Sequence, residues 1–289
     1  MKLVSFNIQY SLGRDGRYDL ARQMDVVREA DVICLQEVER HWRRTGMADQ
    51  PAVIEALLPD RYAAFGPGID VDASLRDGDR ILNRRRQFGN MTLSRWPILS
   101  VRNLLLPKLD TGDDFNCLTT ALETVIAAPE GHLRVINIHL SHVTAGERLL
   151  QLDDLARILS RSVKEGGVWN GTDSEGEDWQ SDDPRPSMPS EMLLAGDFNA
   201  EPDWPEIRRV TAPVDQGGLG LLDCWIATGN PPDQGVTFFK DEAQGVFADQ
   251  RIDFVFASHA FSLRLRHCWI DEATRVSDHQ PVWVELAAV

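Results

Sequence analysis

The sequence predicts a mixed α/β protein, and three observations carry that prediction. Short apolar runs of strand length stop on polar residues at Asn7, Glu37, His139 and Asp197, as buried strands do on reaching the edge of a sheet. Between such runs lie stretches with helical spacing, for instance Leu20, Met24 and Val27. The third observation is the run from Leu193 to Pro202, which ends on Gly196-Asp197-Phe198-Asn199. A strand there delivers a carboxylate and a carboxamide to its C-terminal edge, where chemistry gathers in α/β proteins. Period-two spacing would put Asp197 and Asn199 on one face, with Phe198 turned inward; an Asx-turn closing the strand is the alternative.

In chain order, strands are expected at Lys2 to Ile8 and Asp31 to Val38, with a helix from Asp19 to Ala30 between them. The second strand is apolar until Gln36-Glu37, so it should be central, and a carboxylate at its end is costly unless it meets a cation or emerges into solvent. A short helix at Ala52 to Leu58 and a strand at Arg61 to Phe65 follow, then strands around Phe88 to Ser94, Leu99 to Leu106, Leu118 to Ala127 and Leu133 to Leu140. Thr144-x-x-Glu147 reads as a capping box opening a helix whose buried face is Leu149, Leu152, Leu155 and Leu159. Residues 164–191 carry two basic and eight acidic residues, and read as a solvated surface insertion rather than a domain boundary. Asp203-x-x-Glu206 caps a further helix. Strands at Thr237 to Phe239, Arg251 to Phe256, Leu263 to Ile270 and Pro281 to Leu286 complete the chain.

With 289 residues, 43% of them hydrophobic, the chain can bury a large core, as one large α/β domain or two ordinary ones. A net charge of -15 opposes broad binding to a nucleic-acid backbone. Residues 76–102 are the exception, with seven Arg against Asp77 and Asp79, a patch suited to guiding an anionic substrate. Cys34, Cys117, Cys224 and Cys268 show no C-x-x-C spacing, which suggests neither a zinc knuckle nor a disulfide framework. A secretory h-region and a membrane-length apolar stretch are both absent from the sequence, so a soluble cytoplasmic protein is the expectation.

Asn7, Glu37, His139, Asp197, Asn199, Asp253, Asp278 and His279 all sit at expected strand ends. Carboxylates, carboxamides and imidazoles without thiols suit a hard cation such as Mg²⁺ or Mn²⁺ better than structural zinc. In the order Phe6-Asn7, Leu35-Gln36-Glu37-Val38, Gly89-Asn90, Asn137-Ile138-His139-Leu140, Gly196-Asp197-Phe198-Asn199, Arg251-Ile252-Asp253 and Ser277-Asp278-His279-x-Pro281, these blocks resemble the endonuclease/exonuclease/phosphatase superfamily across nearly the whole chain.

That resemblance implies a four-layer α/β/β/α sandwich of two mixed sheets with outer helices, forming one domain over residues 1–289 with the acidic insertion at about 164–191. It also implies a metal-dependent phosphoric ester hydrolase. Glu37 would be the principal metal ligand, with Asn7 and Asp278 contributing directly or through water. Asp197 would position or deprotonate the attacking water and Asn199 would assist. His279, oriented by Asp253, would donate to the phosphoryl oxygen, with His139 as a second phosphate-facing histidine. Asn90 would support substrate or shape the site, and Arg84, Arg85 and Arg86 are the candidate substrate-binding cluster. Arg148 and Gln151 read as structural, and His142 as separate from His139 because three residues on an extended segment tend to face opposite ways.

The preferred substrate is a phosphodiester in a small molecule or lipid headgroup. A nuclease is the alternative, with Trp96 or Trp204 stacking on a base, and a non-catalytic binding protein on the same fold is the reading of another class. No obligate protein partner is indicated.

Overall fold

The computed structural model describes residues 1–113, 115–171, 187–241 and 245–288. One six-stranded sheet has the order β13(Leu265–Ile270), β14(Val282–Leu286), β1(Lys2–Asn7), β2(Val32–Arg40), β6(Arg85–Ser94), β3(Tyr62–Asp72). The other runs β11(Leu221–Asp223), β12(Asp253–Ser258), β10(Met192–Asp197), β9(Gly131–His139), β8(Thr120–Ala128), β7(Ile98–Leu105). A small hairpin, β4(Leu75–Asp77) and β5(Arg80–Leu82), stands apart from both.

Three apolar interfaces make these sheets a four-layer sandwich. Leu3, Val32, Cys34, Val135, Leu193, Val255 and Val284 fill the space between the sheets. Helices α1(Leu20–Val27) and α2(Gln50–Leu57) cover the outer face of the first sheet, burying Met24, Val27 and Ile54 against Val4, Phe6 and Leu35. Helices α3(Ala145–Glu165) and α4(Pro205–Thr211) cover the second, with Leu152, Leu155 and Val210 against Ile136, Leu194 and Phe254. A short α5(Cys224–Ala227) follows β11. Because β2 is buried on both faces, it reads as a continuous apolar run, as expected of a central strand.

Strand direction sets which chain ends share an edge. Each sheet carries one parallel pair at its centre, β1 with β2 and β9 with β10, and the antiparallel neighbours β12 and β14 begin where those pairs end. One edge of the sandwich therefore collects the C-termini of β1, β2, β9 and β10 and the residues entering β12 and β14.

Several local expectations need correction. Thr144 caps α3 by accepting from the Glu147 amide at 3.1 Å, but the Glu147 carboxylate reaches Leu109 N and Asn116 Nδ2 instead of closing the box. It thereby ties the β7–β8 loop to the helix. Asp203 does not cap α4, whose N-cap is Trp204 without a side-chain bond, and Glu206 is buried in an ion pair with Arg148. Thr237 to Phe239 forms only isolated bridges, from Phe238 to Gln250 and His279. Of the acidic insertion, residues 172–186 lie outside the described residues; the stretch before them is the end of α3, closed by Gly166 in the left-handed region. β4, β5 and β11 are too short for the sequence pattern to reveal.

Candidate active site

Register brings the catalytic-type residues together. Asp197 pairs with His139 on the parallel β9 and with Asp253 on the antiparallel β12, so three functional groups lie abreast at the end of adjacent strands. Gly196 makes this possible: at φ +152 a Cβ there would lie 1.8 Å from the Ile138 carbonyl oxygen. β10 stops at Asp197, and Asn199 lies past the strand at φ +49, its amide donating to Asp197 Oδ1 at 2.9 Å. The Asx-turn is therefore present, and shared orientation by strand alternation is not; Asn199 is aimed by its own Nδ2 bond to the Leu140 carbonyl, 3.0 Å.

Glu37 arrives from the opposite sheet through a bulge. Pairing of β2 with β6 passes from Leu35↔Met91 to Val38↔Gly89, so Gln36 and Glu37 together oppose Asn90, and Glu37 takes φ +61. An extra residue re-aims a side chain out of strand alternation. Beneath the bulge a polar seam joins the sheets: Asn137 Nδ2 donates to the Leu35 and Met91 carbonyls, and Gln36 Nε2 donates to Asn137 Oδ1 at 2.7 Å. Asn90, 1% exposed, donates to the Thr120 and Asn137 carbonyls. These bonds tie β6 to the second sheet, an arrangement that matches the site-shaping alternative.

Asn7 is completely buried and its Nδ2 bridges Glu37 Oε1 at 3.1 Å and Asp197 Oδ2 at 3.0 Å. Its own oxygen accepts from the Gln9 amide. In this orientation Asn7 presents its donors to two carboxylates, and its oxygen keeps one lone pair beyond the Gln9 bond. Asp197 Oδ2 also lies 3.5 Å from His139 Nε2 and 3.7 Å from His279 Nε2. On its far side His279 Nδ1 meets Asp253 Oδ2 at 2.8 Å, and Phe238 packs edge-on against the imidazole. Thr237 Oγ1 accepts from the Ile252 and Asp253 amides, and Ser277 Oγ donates to the Asn7 carbonyl. Neither Thr237 nor Ser277 is assigned an organising role from sequence, although Ser277 opens the Ser277-Asp278-His279-x-Pro281 block, because a hydroxyl in a loop does not reveal its partner.

The electrostatics follow from burial among acids. Burial alone would lower the His279 pKa, but the Asp253, Asp197 and Asp278 charges and the Asp253 hydrogen bond hold it well above the ordinary histidine value. Burial pushes the Asp253 carboxyl up to about 6 against the pull of that imidazole, and its Oδ1 has no hydrogen-bond partner among the described residues. Glu37 and Asp278 are both raised, chiefly by burial, and the Asp278 charge adds to the rise at Glu37. Among the described residues neither has a Lys or Arg partner. Two largely buried carboxylates that lack such a partner, the charge of one raising the other, and an orphaned carboxylate oxygen at Asp253 are oxygen donors of the kind that a hard divalent ion takes. Asp197, Asp253 and His279 offer further ligand-type atoms within 4.8 Å of one another. Within that group Asp253 and His279 are hydrogen-bonded to each other.

Other predicted residues make contacts of their own. Arg85 pairs with Asp70 at 2.7 Å, and Arg86 donates to the His41 carbonyl and flanks Trp42, so both are committed to the rim of the first sheet. Arg84 precedes β6, its amide bonded to Ser74 Oγ. Trp96 follows β6 at the opposite edge of the sandwich and packs on the inter-sheet core, and the Trp204 ring lies under Arg148, whose guanidinium carbon is 5.4 Å from its centroid. Arg148 and Gln151 hold the Ser141 backbone from both sides, as structural residues do. His142 stacks on Phe115 at 6.4 Å.

A two-sheet sandwich with acids, amides and paired imidazoles at one edge defines a phosphoester-hydrolase class of protein. The model of the Endonuclease/Exonuclease/phosphatase family matches residues 4–279, and the chain belongs to that family; it is a phosphoester hydrolase. It is similar to the endonuclease/exonuclease/phosphatase from Beutenbergia cavernae, at 24% identity and TM-score 0.64, covering 100% of this chain and 72% of that one. It is also similar to a mannosyl-6-phosphatase from Bacteroides thetaiotaomicron, at 18% identity, TM-score 0.63 and full coverage of both chains. A 3′ phosphatase from Neisseria bound to product DNA hairpin matches at 17% identity and TM-score 0.58, with full coverage of both. No curated protein matches the sequence. Among the described residues no helix is long and apolar enough to cross a membrane.

Proposed function

We propose that this chain hydrolyses a phosphoester, most readily a phosphodiester of a small molecule or lipid headgroup, by in-line attack of a water held at Asp197, with Mg²⁺ or Mn²⁺ as cofactor. The observation that carries the reading is the Asp197 carboxylate, fixed by the Asn199 amide and Asn7 Nδ2, with two imidazole nitrogens within 3.7 Å. Glu37 and Asp278 would hold the cation, which supplies charge neutralisation at the phosphoryl oxygens. Asn7 keeps Glu37 and Asp197 at a set separation. Asp197 orients the water and takes its proton, and the Asn199 side chain borders the same space. His279, kept cationic by Asp253, donates to the phosphoryl oxygen or leaving group, with His139 facing the same oxygens. Holding water and phosphorus in line is itself a large part of the rate gain.

The small-substrate preference is supported by the net charge of -15, by the engagement of Arg85 and Arg86 in their own rim, and by likeness to a sugar phosphatase. Likeness to a DNA 3′ phosphatase supports the nuclease-type reading as second choice. A panel of small phosphodiesters, sugar phosphates, phospholipids and oligonucleotides, assayed with Mn²⁺ and with chelator, tests the proposal. Metal-dependent turnover of the small substrates is expected, and Asp197→Asn should abolish turnover while substrate still binds. Turnover that survives chelation or Asp197→Asn defeats the mechanism, and oligonucleotide cleavage at moderate salt that outpaces the rest overturns the substrate preference.

A further inference from the structure

The loop after Asn7 is bent in a way the hydrolytic chemistry does not require. Gln9, Tyr10 and Ser11 adopt φ of 43, 42 and 78, three successive non-glycine residues in the left-handed region. Such strain persists only where the surroundings impose it. The completely buried Gln50 imposes it here, donating to the Tyr10 carbonyl at 2.8 Å and Ser11 Oγ at 3.2 Å while accepting from the Glu39 amide. The result is a fixed Tyr10 ring three residues beyond Asn7.

Arg44 lies on that ring, its guanidinium carbon 3.8 Å from the centroid and 5.0 Å from that of Trp42. Glu39, two residues beyond Glu37 on β2, holds it: Nε and Nη2 both reach Glu39 Oε2, and Thr45 takes the other oxygen. The Glu39 side chain is fully buried and that of Arg44 is 38% exposed. The charge offered to solvent is thus the cation, and Nη1 is not engaged among the described residues. Neighbouring Arg40 and Arg85, by contrast, pair with the partly exposed acids Asp49 and Asp70. Tyr10 is close enough to the site for the Glu37 charge to add to the burial that raises its pKa.

We propose that Arg44, laid on Tyr10 and clamped by Glu39, is a specificity-determining site for a second phosphate on the substrate, beside the phosphoester being cleaved. A pre-oriented guanidinium with an unspent edge binds phosphate oxygens at little ordering cost. This deepens the small-phosphoester reading and rests on it.

The test compares a sugar methyl phosphodiester that carries a second phosphate group, the bisphosphate, with the matching diester that lacks it, and the same pair presented as headgroups of short-chain lipids. Arg44→Ala would strand the buried Glu39 charge, so the variant of choice is Glu39→Gln with Arg44→Gln, which keeps a neutral hydrogen-bonded pair. The bisphosphate should be preferred in kcat/KM by about ten-fold or more, the scale of one charge-assisted hydrogen bond, and the double variant should lose that preference through KM. Selectivity in the soluble pair points to a free sugar, and selectivity only in the lipid pair to a headgroup. A preference that survives in the folded double variant, or its absence in both presentations, overturns the proposal. Equilibrium binding of the same pairs to Asp197→Asn, with and without the double substitution, reads the site independently of turnover. A wild-type enzyme that hydrolyses nothing therefore defeats the parent reading alone.

Discussion

Replacing Asn137 by alanine should open the seam that holds the two sheets in register beneath the site. Its side chain makes three short bonds across the sandwich, to the Leu35 carbonyl at 3.0 Å, the Met91 carbonyl at 3.0 Å and Gln36 Nε2 at 2.7 Å. A buried polar group stripped of its partner costs about 1–3 kcal/mol. Gln36 keeps alternatives in Ser5 Oγ and the Cys34 carbonyl, so its loss falls at the low end. The sum is about 3–7 kcal/mol, a large share of the roughly 5–15 kcal/mol that stabilises an ordinary domain. Urea unfolding monitored by tryptophan fluorescence measures it, with the slope of the transition checked for constancy. Because the same bonds pin Leu35 and Gln36, the residues leading into the Glu37 bulge, turnover should fall together with stability. A loss below about 1 kcal/mol, with full activity, would show that the seam neither joins the sheets nor positions Glu37.

Asp253→Asn keeps an acceptor oxygen for His279 Nδ1 but removes the charge that favours the imidazolium. Turnover is expected to fall about 10- to 100-fold, the difference between a charge-assisted and a neutral bond together with weaker acid catalysis, and steady-state kinetics with retained substrate binding checks it. Cysteine reactivity gives a prediction independent of catalysis. Burial pushes the Cys34 thiol up to about 12 and raises Cys117, Cys224 and Cys268 as well, but of the four only Cys117 is partly exposed. A thiol reagent near pH 8 should therefore modify Cys117 alone in the native protein and all four cysteines after denaturation, as mass spectrometry would show.

The sequence by itself determined where strands end and which polar groups stand there. Hydrophobic runs and their polar stops are local, so Asn7, His139, Asp197 and Asp253 were legible as strand-edge residues, while Glu37 closes the apolar part of a strand that runs on to Arg40; the order of the blocks indicated the family and its sandwich. The tertiary structure alone decided how those groups face one another. Glu37 turns into the cleft because a bulge opposite Asn90 breaks strand alternation, a consequence of pairing between segments more than fifty residues apart. Asn90 became a seam residue, and the Arg85 and Arg86 side chains were claimed by the sheet rim, for the same reason: which partner a polar side chain finds depends on what the fold brings beside it. Tyr10 and Arg44 carried no periodic signal at all, and they meet only because buried Gln50 and Glu39 bend and clamp two loops that leave adjacent parallel strands.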